Sequence, residues 1–264
     1  MKELTQMNPD LHRLEIPFLD IYTTVYILRT PEGAVLVDTG TYPEDVDNYI
    51  VPALAELGIC AECLKYVVIS HNHRDHAGGL TRFAQLYPNT EIVAGSEACA
   101  ERVPEKTVQV MQEGDLLCGV LKILHLPGHT GDCLGVLDLR TDTLLSGDGL
   151  QLFGIYGSGN WGANISHIAE HLALCERLKK EKIQRILSCH NYHPCDWRAE
   201  GKEQVDRYLD ACVDALCAVR DFVKQYPQWD GAALSEAYNA SSGLPKVGSH
   251  VMNAVRKAME NGVF

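Results

Sequence analysis

The sequence predicts an α/β protein, in the α+β sense, in which two sheets pack together with helices on the outside. Three observations predict it. Extended, β-branched segments dominate the first part of the chain, short strands broken by turns return between about Val108 and Asp148, and helical periodicity follows each of these regions. No internal repeat or low-complexity linker interrupts the pattern. A length of 264 residues allows one large domain with a buried core, and 46% hydrophobic composition gives no reason to invoke disorder. The expected organisation is a core domain over residues 1–225 and a C-terminal helical extension over 226–264 packed on it.

The elements are expected in the following order. Ile21 to Leu28 and Ala34 to Asp38 read as strands separated by the turn signal Pro31-Glu32-Gly33. A helix follows Pro43, with Val46, Ile50, Leu54 and Leu57 at helical spacing, and Gly58 ends it. Tyr66 to Ser70 is a short β-branched strand, Leu80 to Leu86 a short helix and Glu91 to Ala94 another strand. Turn signals at Gln112–Asp115, Pro127–Thr130 and Arg140–Asp142 break the next region into short strands. Gln151 to Gly162, rich in glycine and aromatics, reads as a loop. Ser166 is the expected cap of a helix that buries Ile168, Leu172, Cys175 and Leu178. A strand from Ile183 to Ser188 then delivers His190, and helices are expected over Arg198 to Gln225 and around Lys246 to Glu260.

Charge and cysteine usage narrow the function classes. With 23 basic and 35 acidic residues, the net charge of −12 disfavours a phosphate backbone as substrate. No basic run or amphipathic basic helix addresses a membrane surface, and no apolar run reaches the roughly 18 residues needed to cross a bilayer. The polar segment Met1 to Asp10 lacks the apolar stretch of a signal peptide, so a cytoplasmic location is expected. The expected partner is a small-molecule substrate, with no nucleic acid and no membrane; the oligomeric state is not legible. The ten cysteines are scattered, which fits reduced thiols, and the Cys60/Cys63 CxxC pair is read as structural.

The decisive segment is Ser70-His71-Asn72-His73-Arg74-Asp75-His76-Ala77-Gly78-Gly79. It follows an apolar strand. If the chain leaves the sheet nearly extended, His71, His73 and Asp75 share a side while His76 points elsewhere, toward a neighbouring ion. Imidazole and carboxylate are ligand types that zinc accepts, and the paired glycines let the backbone turn away into the next helix. Four ligand-type residues within six positions are far more specific than a lone HxH pair. His129 in Leu-Pro-Gly-His-Thr, Asp148 in Leu-Ser-Gly-Asp and His190 in Leu-Ser-Cys-His each follow a strand-like run beside a small residue. Such loop positions on a rigid sheet are where catalytic groups usually sit.

These seven positions, in this order, resemble the metallo-β-lactamase-fold superfamily, whose pattern is HxHxDH, a distant His, an Asp and a final His. The resemblance runs from about Ile21 to His190. It implies an αββα sandwich of two mixed β-sheets flanked by helices, with residues 1–225 as the metallo-β-lactamase-like domain. It further implies two divalent metal ions per chain, zinc first, with iron or manganese as substitutes. One ion would take His71, His73 and His129, the other Asp75, His76 and His190, with Asp148 as the bridge. Asp38, in Val37-Asp38-Thr39-Gly40, would support the site from behind.

The activity implied is that of a dinuclear hydrolase. A metal-bridging hydroxide would cleave a small-molecule ester, lactone or thioester, in the general manner of glyoxalase II and of lactonases. Asp75 would hold the nucleophile in line and shuttle its proton. Tyr156, in the aromatic loop with Phe153 and Trp161, or Tyr192 beside His190, would donate a hydrogen bond to the substrate oxygen. The rivals are an iron-dependent redox enzyme on the same fold, such as a persulfide dioxygenase, and a phosphodiesterase. His12, His125, His167, His171 and His250 read as surface or packing residues, Cys133 and Cys189 as packing, and His193 as another such residue with substrate contact as the alternative. Arg74 is expected either to pair with a carboxylate or to face solvent.

Overall fold

A computed structural model describes residues 3–264. Its strands form two mixed sheets flanked by helices, and the chain divides into two compact units. One comprises Met1–His125 with Leu134–Arg140, the other Leu126–Cys133 with Thr141–Phe264.

The first unit carries a seven-stranded sheet in sequential order: β1 (Glu3–Asn8), β2 (Leu11–Phe18), β3 (Ile21–Thr30), β4 (Gly33–Val37), β5 (Leu64–Ile69), β6 (Glu91–Ala94) and β7 (Val108–Val110). Pairing is antiparallel from β1 to β4 and parallel from β4 to β7. The switch matters, because parallel pairs need crossovers, and the loops that leave the strands' C-terminal ends then gather on one edge. Helical segments cover a face of this sheet. They are α1 (Pro43–Asp45), a wider π turn over Val46–Ile50, α2 (Val51–Glu56), α3 (Arg74–Ala77) and α4 (Leu80–Leu86). The expected apolar stripe Val46, Ile50 and Leu54 joins Leu14, Ile16, Ile27, Leu36, Val67, Ile69 and Phe83 in one core. The short strands β8 (Leu116–Leu117), β9 (Leu121–His125) and β10 (Leu134–Asp138) complete this unit as an antiparallel set.

In the second unit, β11 (Thr143–Gly147) pairs parallel with β12 (Arg185–Tyr192), and β12 pairs antiparallel with β13 (Asp196–Glu200). Four helices belong to it: α5 (Ile168–Leu178), α6 (Lys202–Gln225), α7 (Gly231–Ser242) and α8 (Ser249–Glu260). Ile168 of α5, Leu216, Val219 and Val223 of α6, Leu234 and Tyr238 of α7, and Val251, Met252 and Val255 of α8 share one apolar core. No helix among the described residues is long and apolar enough to cross a membrane.

Several elements differ from the sequence expectation. Arg198 does not open a helix; it lies in β13, and Gly201, at φ 79°, makes the left-handed turn from which α6 starts. Ser166 does not cap α5. His167 holds that position, and the backbone N–H groups of both residues donate to the carbonyl of Gly128 at 2.8 and 2.9 Å. Cys60 and Cys63 form a disulfide in the exposed turn ahead of β5, while the other eight cysteines are free thiols.

Candidate active site

The first group of site residues is assembled where β4 and β5 end. Val37 and Val68 lie side by side in the parallel pair, and the next residue, Asp38, turns out of the strand at φ 68°, its N–H donating to the Val68 carbonyl at 2.8 Å. Asparagine and aspartate tolerate this left-handed region better than other non-glycine residues. The Asp38 carboxylate is thereby aimed across the strand ends. Its Oδ1 accepts from the Ser70 N–H and its Oδ2 from the Ser70 hydroxyl, both at 2.8 Å. Oδ2 also accepts from His76 Nδ1 at 2.7 Å.

The chain does not stay extended through the motif. His73 takes the cap position and Arg74–Ala77 form one helical turn, so only His71 and His73 follow the alternating geometry. Their rings meet edge to face at 4.7 Å between centroids. His76 lies on this turn with its ring 4.2 Å from that of His71, and its Nε2 is 3.3 Å from Oδ2 of Asp75. The cause is the preceding loop. The Thr39 N–H and hydroxyl both donate to the His76 carbonyl, at 2.7 and 3.0 Å, and fold the turn back. Gly78 and Gly79 are needed for the same reason. Neither takes a left-handed conformation; a Cβ on Gly78 would stand 1.9 Å from the Thr41 carbonyl oxygen, and one on Gly79 would stand 2.2 Å from that of Thr39. Arg74 leaves the cluster and places its guanidinium 4.6 Å from the Tyr42 ring centroid.

The second group is assembled at the ends of the parallel strands β11 and β12. Gly147, at φ 49°, turns the chain so that Asp148 follows directly, and β12 supplies Cys189, His190 and Tyr192. Asp148 is the hub. Its Oδ1 accepts from the Cys189 thiol and the Tyr192 hydroxyl, each at 2.8 Å, and lies 3.4 Å from His190 Nε2. Its Oδ2 lies 3.5 Å from His129 Nε2. Cys189 is therefore not mere packing. Tyr192 is buried and gives its one proton to Asp148, so its hydroxyl is not the substrate donor that was expected. Burial, with the negative charge of Asp148 adding to it, holds the Tyr192 phenol well above its ordinary pKa, and the donor stays protonated.

Tautomers follow from the partners. His129 Nδ1 lies 2.6 Å from the carbonyl of Asn164, which can only accept, so the proton sits on Nδ1. The same logic places the His76 proton on the Nδ1 facing Asp38. In the neutral rings each Nε2 then turns a lone pair toward a carboxylate oxygen, that of Asp148 or of Asp75. An imidazole nitrogen and a carboxylate oxygen so placed are donors that a divalent cation would accept. The donor chemistry fits metal ions that accept imidazole and carboxylate ligands.

Outside these groups, Tyr156 is 39% exposed, and its ring lies tilted against that of His193 with centroids 3.5 Å apart. His193 is held below the ordinary histidine pKa by burial. A cleft of about 350 Å³ is lined by Asn160, Trp161, Asn164, Lys246 and His250 among others. His250 Nε2 meets the Asn164 side chain at 2.6 Å, so one asparagine touches both this cleft and His129. Sequence reasoning missed Asn164, whose signal would have been a polar residue closing the aromatic loop.

A family model described as the metallo-beta-lactamase superfamily matches residues 20–198. The chain belongs to that superfamily. A metallo-beta-lactamase family protein of Thermus thermophilus superposes with a TM-score of 0.71 at 18% identity over 97% of this chain and 95% of that one, which shows the fold. Among named relatives, the atrochrysone carboxyl ACP thioesterase dmxR1 of Cryptosporiopsis sp. (strain 8999) is 23% identical over 64% of this chain and 48% of its own length. The lactamase-like protein GME11357 of Pestalotiopsis microspora is 28% identical over 81% of this chain and 63% of its own. The chain thus spans about half to two thirds of the length of these two relatives.

Proposed function

We propose that this superfamily member is a dinuclear metal-dependent hydrolase of small-molecule acyl compounds, with thioesters the leading class among ester, lactone and thioester. The observation that carries the reading is the repeated construction of the two residue groups. In each, an oxygen acceptor fixes the Nδ1 proton of a histidine and leaves its Nε2 facing a carboxylate. His71, His73 and His129 would hold one ion and Asp75, His76 and His190 the other, with Asp148 shared between them. Zinc is the first choice for this donor set. When bound, the ions would supply Lewis acidity and a water acidified toward neutral pH.

The chain's own residues would do the rest. Asp38 and Asn164 orient His76 and His129, and Tyr192 with Cys189 orients Asp148. Asp75, whose side chain is 15% exposed, would take the proton of the attacking water and return it to the leaving group. A thiolate leaving group asks little of that acid, which suits a site with no second general acid assigned. The name of the Cryptosporiopsis relative points the same way.

The test is elemental analysis of pure protein alongside a substrate panel of N-acetylcysteamine thioesters, aryl esters, lactones and a bis(aryl) phosphate. At least two metal ions per chain, both lost when the ligands of this site are replaced, and the highest kcat/KM on a thioester are expected. Preference for the phosphate diester would overturn the substrate class. A firm value of one iron per chain with oxygen uptake would overturn hydrolysis itself.

A further inference from the structure

Helix α5 carries a second set of metal-ligand side chains that the proposed active site does not use. His171 and Cys175 are one helical turn apart, so they project from the same face of α5, and Cys212 approaches from α6. One ligand atom from each lies within 4.8 Å of the others, and all three residues are fully sealed from solvent. Cys175 has both Cys212 and His171 as polar neighbours. Neither ring nitrogen of His171 has a nitrogen or oxygen partner among the described residues, although both are buried.

We propose that His171, Cys175 and Cys212 form a metal site for one thiophilic divalent cation, zinc foremost. The donor types, one imidazole and two thiolates, are those of soft-metal and zinc centres and exclude magnesium and calcium. Charge selects the valence. Two thiolates, a neutral imidazole and a divalent ion sum to zero, whereas a monovalent ion would leave a net negative charge buried in the core. Binding takes both sulfurs as thiolates and so displaces the proton of Cys212, whose thiol burial holds above its ordinary pKa, and uptake strengthens as pH rises. Zinc–sulfur bonds of ~2.3 Å place tetrahedral ligand atoms roughly 3.8 Å apart, so rotamer-scale movement closes the set.

The site is structural rather than catalytic, because no substrate reaches it. Its effect would pass through Gly128. A Cβ on that glycine would meet His171 Nδ1 at 2.3 Å, so the backbone just before His129 rests on this imidazole. An ion that fixed His171 would stiffen the turn that presents His129.

The test uses the full-length protein, reduced and then loaded with Co²⁺, which reports thiolate ligands by a near-ultraviolet charge-transfer band. That band is expected in the parent and absent from Cys175→Ser and Cys212→Ser, each of which should also carry about one zinc fewer per chain. Should either variant fail to fold, the parent alone decides. Native protein treated with a mercurial should release zinc in step with modification of these two cysteines, mapped by peptide mass spectrometry. Release of no zinc on their modification, an unchanged band in a folded variant, or a Cys175–Cys212 disulfide in protein purified without reductant would each overturn the proposal.

Discussion

His76 donates its Nδ1 proton to Oδ2 of Asp38 across 2.7 Å, with both side chains almost wholly sealed from water. The same carboxylate holds the backbone and hydroxyl of Ser70. One residue at the end of β4 therefore sets both the tautomer of a proposed ligand and the path of the chain leaving β5.

Asp38→Asn tests that arrangement cleanly, since asparagine accepts the left-handed backbone. Zinc affinity, read by chelator competition, is expected to fall by roughly 10–100-fold with a small change in melting temperature. An unchanged affinity would mean that the His76 ring is positioned without Asp38.

Asp75→Asn should damage turnover more than fold. Loss of kcat on the order of 100-fold, with a near-parental melting temperature, is expected from removing the group that handles the proton. Steady-state kinetics on the best substrate of the panel decide it, and near-normal turnover takes Asp75 out of the mechanism.

Tyr192→Phe removes one of the two donors to Oδ1 of Asp148 and also the acceptor of Gln151 Nε2. A drop in kcat/KM of about 10-fold with metal content retained is expected for loss of a group that orients a ligand. Because the phenol is held well above its ordinary pKa, any alkaline limb in the parent pH profile should persist in the variant. Disappearance of that limb would show that Tyr192 itself titrates there.

Specificity should respond to the aromatic loop. Tyr156→Phe removes the hydroxyl from the ring that lies against His193, and Trp161→Ala opens the cleft that His250 borders. The expected outcome is a changed kcat/KM ratio between thioester and ester substrates with metal stoichiometry intact. Identical substrate ranking in both variants would move recognition onto the helices after Arg198.

Acid stability has a marker far from the site. Burial, and secondarily the positive charge of Arg29, lower the His12 pKa. The unfolded chain then binds this proton first, so stability is intact above the ordinary histidine value of about 6.5 and falls as pH drops below it. His12→Gln should flatten the plot of melting temperature against pH in that window. A variant with the parental slope would assign the acid limb to other groups.

Much of this could be read from residues alone because the signals were local. Leu80–Leu86 and Glu91–Ala94 form as expected, and Gly58, at φ 64°, follows the helix it was expected to end. The proposed ligands His71 and His73 follow β5, Asp148 follows β11 and His190 lies near the end of β12, which is why local pattern brought them to notice. What escaped depended on partners distant in sequence. Strands β1 and β2 lie ahead of the first expected strand, and they are held by pairing with each other and with β3. Helix α7 was missed although Asp230 caps it, its side chain accepting from the Ala233 N–H at 2.8 Å. The bend that turns His76 back onto His71 comes from Thr39, which no reading of the motif by itself includes.

The crowding of Gly78 and Gly79 against the carbonyls of Thr41 and Thr39 bears on how such a centre could be transplanted. A designer who copied only the metal-ligand side chains onto another scaffold would carry over the donors without the mould that shapes them. The smallest portable piece here is a two-part cassette: Asp38 to Thr41, which supplies the wall, and Ser70 to Gly79, which is pressed against it. Recombination between distant homologues should break function whenever a crossover separates those segments, even if every donor is inherited.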